Sequence, residues 1–176
     1  MKKRSLKELN RISIEAFKAA EKTPLIIVLD DIRSALNVGS AFRTADAFAI
    51  EKIYLCGITA KPPHREILKT AIGATSSVEW EYVEDVEQLA ISLRSAGVQL
   101  LAVEQTDQSI PLQSFPVAKD KKYALVFGNE IKGVSDSVLP LVHGALEVPQ
   151  FGTKHSLNVS VCLGVVCWAL LEKMRL

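Results

Sequence analysis

The sequence predicts an α/β protein built on a mainly parallel sheet. Continuous apolar runs of strand length recur along the chain, among them "LIIVLD" (25–30), "VQLLAV" (98–103) and "YALVF" (123–127). Runs without polar alternation suit strands covered on both faces. Helix-period stretches fall between them, and strand–helix alternation in one short chain argues a parallel sheet. At 176 residues the chain has the length of one domain, able to bury roughly 70% of its unfolded surface.

Residues 5–22 read as a helix: Ser5 can cap it with Glu8 three residues on, and Leu6, Leu9, Ile12, Ala16 and Ala20 recur at helical spacing before Pro24 ends it. Strand 25–30 is followed by a helical pattern from Leu36 to Phe48, and "KIYLC" (52–56) is the next strand. "VEWEYV" (78–83) and "ALEV" (145–148) complete the strands, with further helices at 64–71, 84–96, 135–141 and 156–174. Two long loops, 57–66 and 104–122, remain; in a compact domain such loops are commonly functional or mobile.

Composition narrows the classes. The longest apolar stretch, Val161 to Leu171, is shorter than the roughly 20 residues a bilayer span needs. The basic "MKKR" start has no apolar segment behind it, which argues against a secretory signal. Cys56, Cys162 and Cys167 form no C-x-x-C pair and suit a reducing compartment. The expectation is a cytoplasmic protein. Its net charge is +1, but residues 1–22 carry seven Lys or Arg against three Glu. A basic arm on a near-neutral body fits weak attraction to a polyanion, and equally a solvated helix face.

Ligands of parallel sheets bind beyond the carboxyl ends of the strands, which directs attention to 30–47, 128–136 and 149–160. In "FGNEIKGVS" Gly128 and Gly133 have P-loop spacing, but Val134 stands where the phosphate-binding Lys is needed. A tight turn needing positive φ is the other reading of these glycines. Glu130 is an acid placed to meet a ligand. His155–Ser156 lacks the glycines of a nucleophile elbow, having Lys154 and Asn158 in their places, so Ser156 reads as a helix cap. His64, His143 and His155 have no ligand spacing, and no metal site is expected. In "NVGSAFR" Asn37 and Gly39 open a helix, and Gly39 and Arg43 are i, i+4 neighbours, so a small residue leaves room beneath a guanidinium; an N-cap Asn, a small packing Gly and a solvent-facing Arg are the other reading, which the motif favours when taken alone.

Together "NVGSAFR", "FGNEIKG" and "VPQFGTKHSLNVSVCLG" resemble, in order and spacing, the three motifs of the SpoU/TrmH branch of the SPOUT RNA methyltransferases. The resemblance runs from about Leu25 to the carboxyl terminus; Gln150, where Met is common, and Asn129, at a variable position, are the departures. It leaves residues 1–24 outside as a basic amino-terminal helix and implies a methyltransferase domain (25–176) whose parallel sheet ends in a carboxyl-terminal trefoil knot. It also implies S-adenosylmethionine as cofactor, a homodimer formed through the motif-1 and carboxyl-terminal helices, and methylation of a ribose 2′-hydroxyl in structured RNA, a tRNA guanosine in preference to rRNA. The alternative is a catalytically inactive knotted RNA-binding protein.

Carried over position by position, Arg43, Asn37, Glu130, Ser156 and Asn158 become the catalytic set, and Val103, Gly128, Val148, Gln150, Gly152, Ser156 and Leu157 the cofactor-binding set. In the knot helix Ser156 and Asn158 would face the ligand while Leu157, Val159 and Val161 face the core. RNA would meet the basic amino-terminal helix, Lys61/His64/Arg65, or Lys119/Lys121/Lys122. The apolar terminal helix, with Trp168, would find its second buried surface in the dimer.

Overall fold

The computed structural model describes residues 1–5, 8 and 11–175. Seven strands form one all-parallel sheet: β1 (Thr23–Asp30), β2 (Ile50–Cys56), β3 (Trp80–Val83), β4 (Gln99–Val103), β5 (Ile110–Pro111), β6 (Tyr123–Phe127) and β7 (Gly144–Glu147). Their spatial order is β3-β2-β1-β6-β4-β7-β5. The apolar runs are buried on both faces, as expected: Leu25, Ile27 and Leu29 join one core layer, and Ile26 and Val28 join the other. The first layer is covered by α2 (Ala35–Ala47), α3 (Arg65–Ala71) and α5 (Val159–Arg175); the second contains Leu89, Ala90 and Leu93 of α4 (Val86–Ser95).

Four elements differ from the sequence reading, each for a local reason. The first helix, α1, spans only Ile14–Ala19, because Ser13 caps it with its hydroxyl accepting from the Ala16 N–H. Phe17, not the Ile12/Ala16/Ala20 stripe, is its buried residue. Ser5 does bond Glu8, while the expected apolar positions Leu6 and Leu9 lie outside the described residues. The helix expected at 135–141 is only a 3₁₀ turn at Leu139–Leu141, since Pro140 supplies no N–H to a longer helix. β5, two residues inside the 104–122 loop, is too short for any periodicity, and its Pro111 is tolerated at the sheet edge.

The last helix starts at Val159. The Asn158 side-chain oxygen accepts from the Ser160 N–H (2.9 Å), so the cap is Asn158 and not Ser156. Leu157 and Val161, expected in the core, are 39% and 54% exposed, and Val159 is half-buried against the core. The buried stripe of α5 is instead Leu163, Val166, Cys167, Leu170 and Met174.

The motif-1 glycine serves packing rather than Arg43. A Cβ on Gly39 would collide with Thr70 Oγ1 and the Ile67 carbonyl oxygen, where α2 crosses α3 and the Thr70 hydroxyl donates to the Leu36 carbonyl (2.9 Å). Gly39→Ala therefore destabilises the fold by about 1–3 kcal/mol, because overpacking against backbone outweighs the gain in helix propensity. A lowered denaturant midpoint at unchanged m-value is the expected readout.

Candidate active site

At the carboxyl ends of β4, β6 and β7 lies a cavity of about 410 Å³, walled in part by Val103, Phe127, Leu146, Val148 and Cys162. That volume is within the range of small-molecule sites. Of the expected cofactor residues, Val103, Gly128, Val148, Gln150, Ser156 and Leu157 line it; Gly152 does not. Glu130 and Asn158 line it as well.

The rim is built by a relay that joins all three motifs. The Glu130 carboxylate accepts from the backbone N–H groups of Arg33 (2.9 Å) and Ser34 (3.0 Å) and from the Asn37 amide (3.1 Å). The Asn37 oxygen in turn accepts from the Asn158 amide (3.2 Å). Asn37 is not the helix cap; Ser34 is, its hydroxyl accepting from the Asn37 N–H, which leaves the Asn37 side chain free to bridge motifs 2 and 3. Partial burial pushes the Glu130 pKa up, but the hydrogen bonds from Arg33, its own backbone, Ser34 and Asn37 outweigh this and hold it below its ordinary value. Glu130 is thus a carboxylate held against the amino end of α2, where the helix dipole favours negative charge.

A second set of bonds fixes the motif-2 turn. Asn129 and Gly133 pair through two backbone bonds of 2.9 Å, and Gly133 takes φ +74°. The Asn129 amide donates to the Asp31 carbonyl (2.7 Å), and its oxygen accepts from the Ile131 and Lys132 N–H groups. Buried Asp30 accepts from the Ser135 N–H (2.8 Å) and hydroxyl (3.0 Å); burial raises its pKa despite both bonds. Glu104, at the end of β4, accepts from the Val134 N–H (3.1 Å). The Gln105 amide donates to the His155 carbonyl (2.7 Å) and so holds the segment after β7 beside the β4–β5 connection. Asn129 was noted in the sequence only as a motif departure with no role, and Glu104 and Gln105 were not singled out, although the carboxyl end of β4 was an available signal for these two.

Arg43 does not join this group within one chain. It lines a separate open cavity of about 470 Å³ between α2 and α3, with Ser40, Thr44, Phe48, Lys69 and Ile72. Cys162 does reach the main cavity, but burial, with the Glu104 charge adding to it, pushes its thiol up to about 11. It is a neutral wall residue at physiological pH, not a nucleophile. Among the described residues no helix is long and apolar enough to cross a membrane, and no cluster of His, Cys, Asp and Glu has the geometry to hold a metal ion.

A model of the SpoU rRNA Methylase family matches residues 24–168. The chain is 29% identical over 82% of its length to a tRNA (guanosine(18)-2'-O)-methyltransferase of Aquifex aeolicus, covering 67% of that protein. It is 27% identical over 96% of its length to a 23S rRNA (guanosine-2'-O-)-methyltransferase of Vibrio parahaemolyticus, covering 66% of it. Its fold is similar to that of an AdoMet-bound rRNA methyltransferase from Sinorhizobium meliloti, with TM-score 0.79 and 24% identity over 89% of this chain and 59% of that one. The chain thus spans about two thirds of the length of the curated relatives described. With three linked motifs and a family match over most of its length, the chain belongs to the SpoU rRNA Methylase family and is an RNA methyltransferase.

Proposed function

We propose that the protein transfers the methyl group of S-adenosylmethionine to the 2′-hydroxyl of a guanosine in tRNA. The observation that carries this reading is the Glu130–Asn37–Asn158 relay at the rim of the cavity. The chain's residues fit the cofactor chemically: Val103, Phe127 and Val148 offer an apolar surface to an adenine, and Glu104, Glu130 and Glu147 line the same cavity with carboxylates suited to a cationic ligand. When bound, the cofactor supplies a methyl already activated by its positive sulfur. The protein's task is then alignment and management of one proton.

Glu130 fixes the amide of Asn37, which in turn fixes Asn158, so that the rim presents polar groups in one orientation to a ribose. The role of Arg43 is to hold the neighbouring phosphate with its planar guanidinium and to stabilise the forming alkoxide. Because Arg43 lines a cavity apart from its own chain's relay, we infer that it serves the pocket of a second copy. A second stripe on α5 supports that dimer: Val161, Val165 and Trp168 are 54%, 41% and 46% exposed, beside Leu36 of α2 at 40%. Phe48, the residue capping the carboxyl end of α2, and Trp168 of α5 join the two helices, their rings 5.8 Å apart. An isologous contact through α2 and α5 buries this face.

The strand order supports the expected knot. β7 sits between β4 and β5, which are joined directly by residues 104–109. The chain leaving β7 then passes the arch formed by that connection, with Gln105 bonded to His155. We infer that the reaction runs in the cytoplasm, a reducing compartment suited to the free thiols of Cys56, Cys162 and Cys167.

Incubation with methyl-labelled cofactor and separate tRNA and rRNA pools tests the reading. Label is expected in tRNA, and a 2′-deoxy substitution at the mapped nucleotide abolishes it. RNA binding without incorporation would instead identify an inactive knotted RNA-binding protein, and incorporation into the deoxy RNA would indicate a base methylase.

A further inference from the structure

The three basic clusters legible in the sequence do not share one end of the sheet. Residues 119–122 precede β6 and residues 14–22 of the amino-terminal cluster precede β1, so both lie towards the amino edge. Lys122 is also committed to an ion pair with Glu51. Residues 57–64 follow the carboxyl end of β2 and therefore lie on the side of the cavity.

Hydrogen bonds tie that loop to the segment on which Glu130 rests. The Ile58 N–H donates to Asp31 Oδ1 (2.9 Å), and the Ile32 N–H donates to the Thr59 hydroxyl (2.9 Å). The next two residues, Arg33 and Ser34, donate to Glu130. The Tyr82 hydroxyl donates to the Gly57 carbonyl (3.0 Å), and the Lys61 ammonium sits 3.7 Å from the centre of the Tyr82 ring. Lys61 is thus held by an aromatic face and carries its charge unneutralised.

Arg65 and Lys69 follow at i, i+4 on α3, both exposed. Lys69 also lines the α2–α3 cavity together with Arg43. The His64 Nδ1 accepts from the Glu66 N–H, which leaves its Nε2 to donate. Among the described residues the ion pairs involve Lys52 and Lys122, and none involves Lys61, His64, Arg65, Lys69 or Arg43. Cations gathered without carboxylate partners on a structured surface fit a polyanion.

We propose that Lys61, His64, Arg65 and Lys69 form the track that holds the RNA backbone beside the nucleotide to be methylated. The β2–α3 loop and α3 supply the phosphate contacts, and the other two clusters contribute little. The track rests on the RNA methyltransferase reading but is separable from it, because its charges act on binding rather than on methyl transfer.

The test compares a Lys61→Ala/Arg65→Ala/Lys69→Ala variant with Lys119→Ala/Lys121→Ala, using unfractionated tRNA and rRNA as probes across a salt series. For the first variant the RNA dissociation constant rises at least about tenfold. Its dependence of log K on log salt becomes shallower by about 2, from roughly 0.7 per lost contact to a single strand. Its cofactor affinity and its thermal midpoint stay at wild-type values, and Arg65→Lys alone retains binding. The second variant behaves as wild type.

An unchanged salt slope in the first variant overturns the track, as does an equal loss in the second, or wild-type protein that binds neither RNA. A wild-type protein that binds RNA with the expected slope but transfers no methyl overturns the methyltransferase reading and leaves the track standing.

Discussion

Arg43→Ala is expected to lower methyl transfer at saturating substrates by about 10²- to 10³-fold, the usual loss when one preorganised group that stabilises developing charge is removed. Cofactor affinity stays within about threefold of wild type, since that loss is well under 1.4 kcal/mol and Arg43 does not line the main cavity. A mixing experiment then separates action within one chain from action across a dimer. Arg43→Ala and Asn158→Ala proteins are each expected to retain little activity, but co-refolded heterodimers contain one pocket with an intact relay facing an intact arginine. About a quarter of wild-type activity is expected from an equal mixture with random pairing in a two-fold dimer. Activity no higher than that of the separate variants would assign Arg43 to its own chain's pocket and would sink the proposed division of labour.

Gly128→Ala is expected to be the most damaging single methyl group in the protein. The added Cβ would collide with the Gly133 carbonyl and the Val134 nitrogen, both backbone atoms that cannot move aside alone. The turn closed by the paired Asn129–Gly133 bonds must open, and Glu130, carried on that turn, loses its seat on the Arg33 and Ser34 N–H groups. A cost of about 3 kcal/mol follows from overpacking of this kind, with cofactor affinity reduced by about tenfold or more for each 1.4 kcal/mol of lost binding energy. Denaturant unfolding and titration calorimetry read the two effects. Gly152→Ala is the control: nothing lies within 4 Å of its Cβ position, and its stability should stay within about 0.5 kcal/mol of wild type.

Most of the sheet was legible because its strands are buried on both faces and so read as unbroken apolar runs. β5 was hidden by its two-residue length, and the 135–141 segment looked helical until Pro140 is weighed. The site was legible as motif positions, and Asn37, Glu130 and Asn158 do meet through hydrogen bonds. What each residue does locally was harder to read. Gly39 makes room for α3, not for Arg43, and Asn158 performs the capping expected of Ser156. Such roles depend on which neighbour arrives across the fold, and spacing along one helix does not contain that information. Asn129 shows the same limit: nothing in its spacing points to Asp31, yet its amide pins the motif-2 turn to the Asp31 carbonyl.

The placement of β7 has a consequence for how the molecule is made. Its slot lies between two strands that a ribosome delivers more than 30 residues earlier. The relay closes only when Asn158 arrives, so a nascent chain holds a nearly finished sheet with an open seam and no working pocket. Competence comes only once the segment after β7 is made, and a chain cut before Asn158 would lose its chemistry before it lost most of its core.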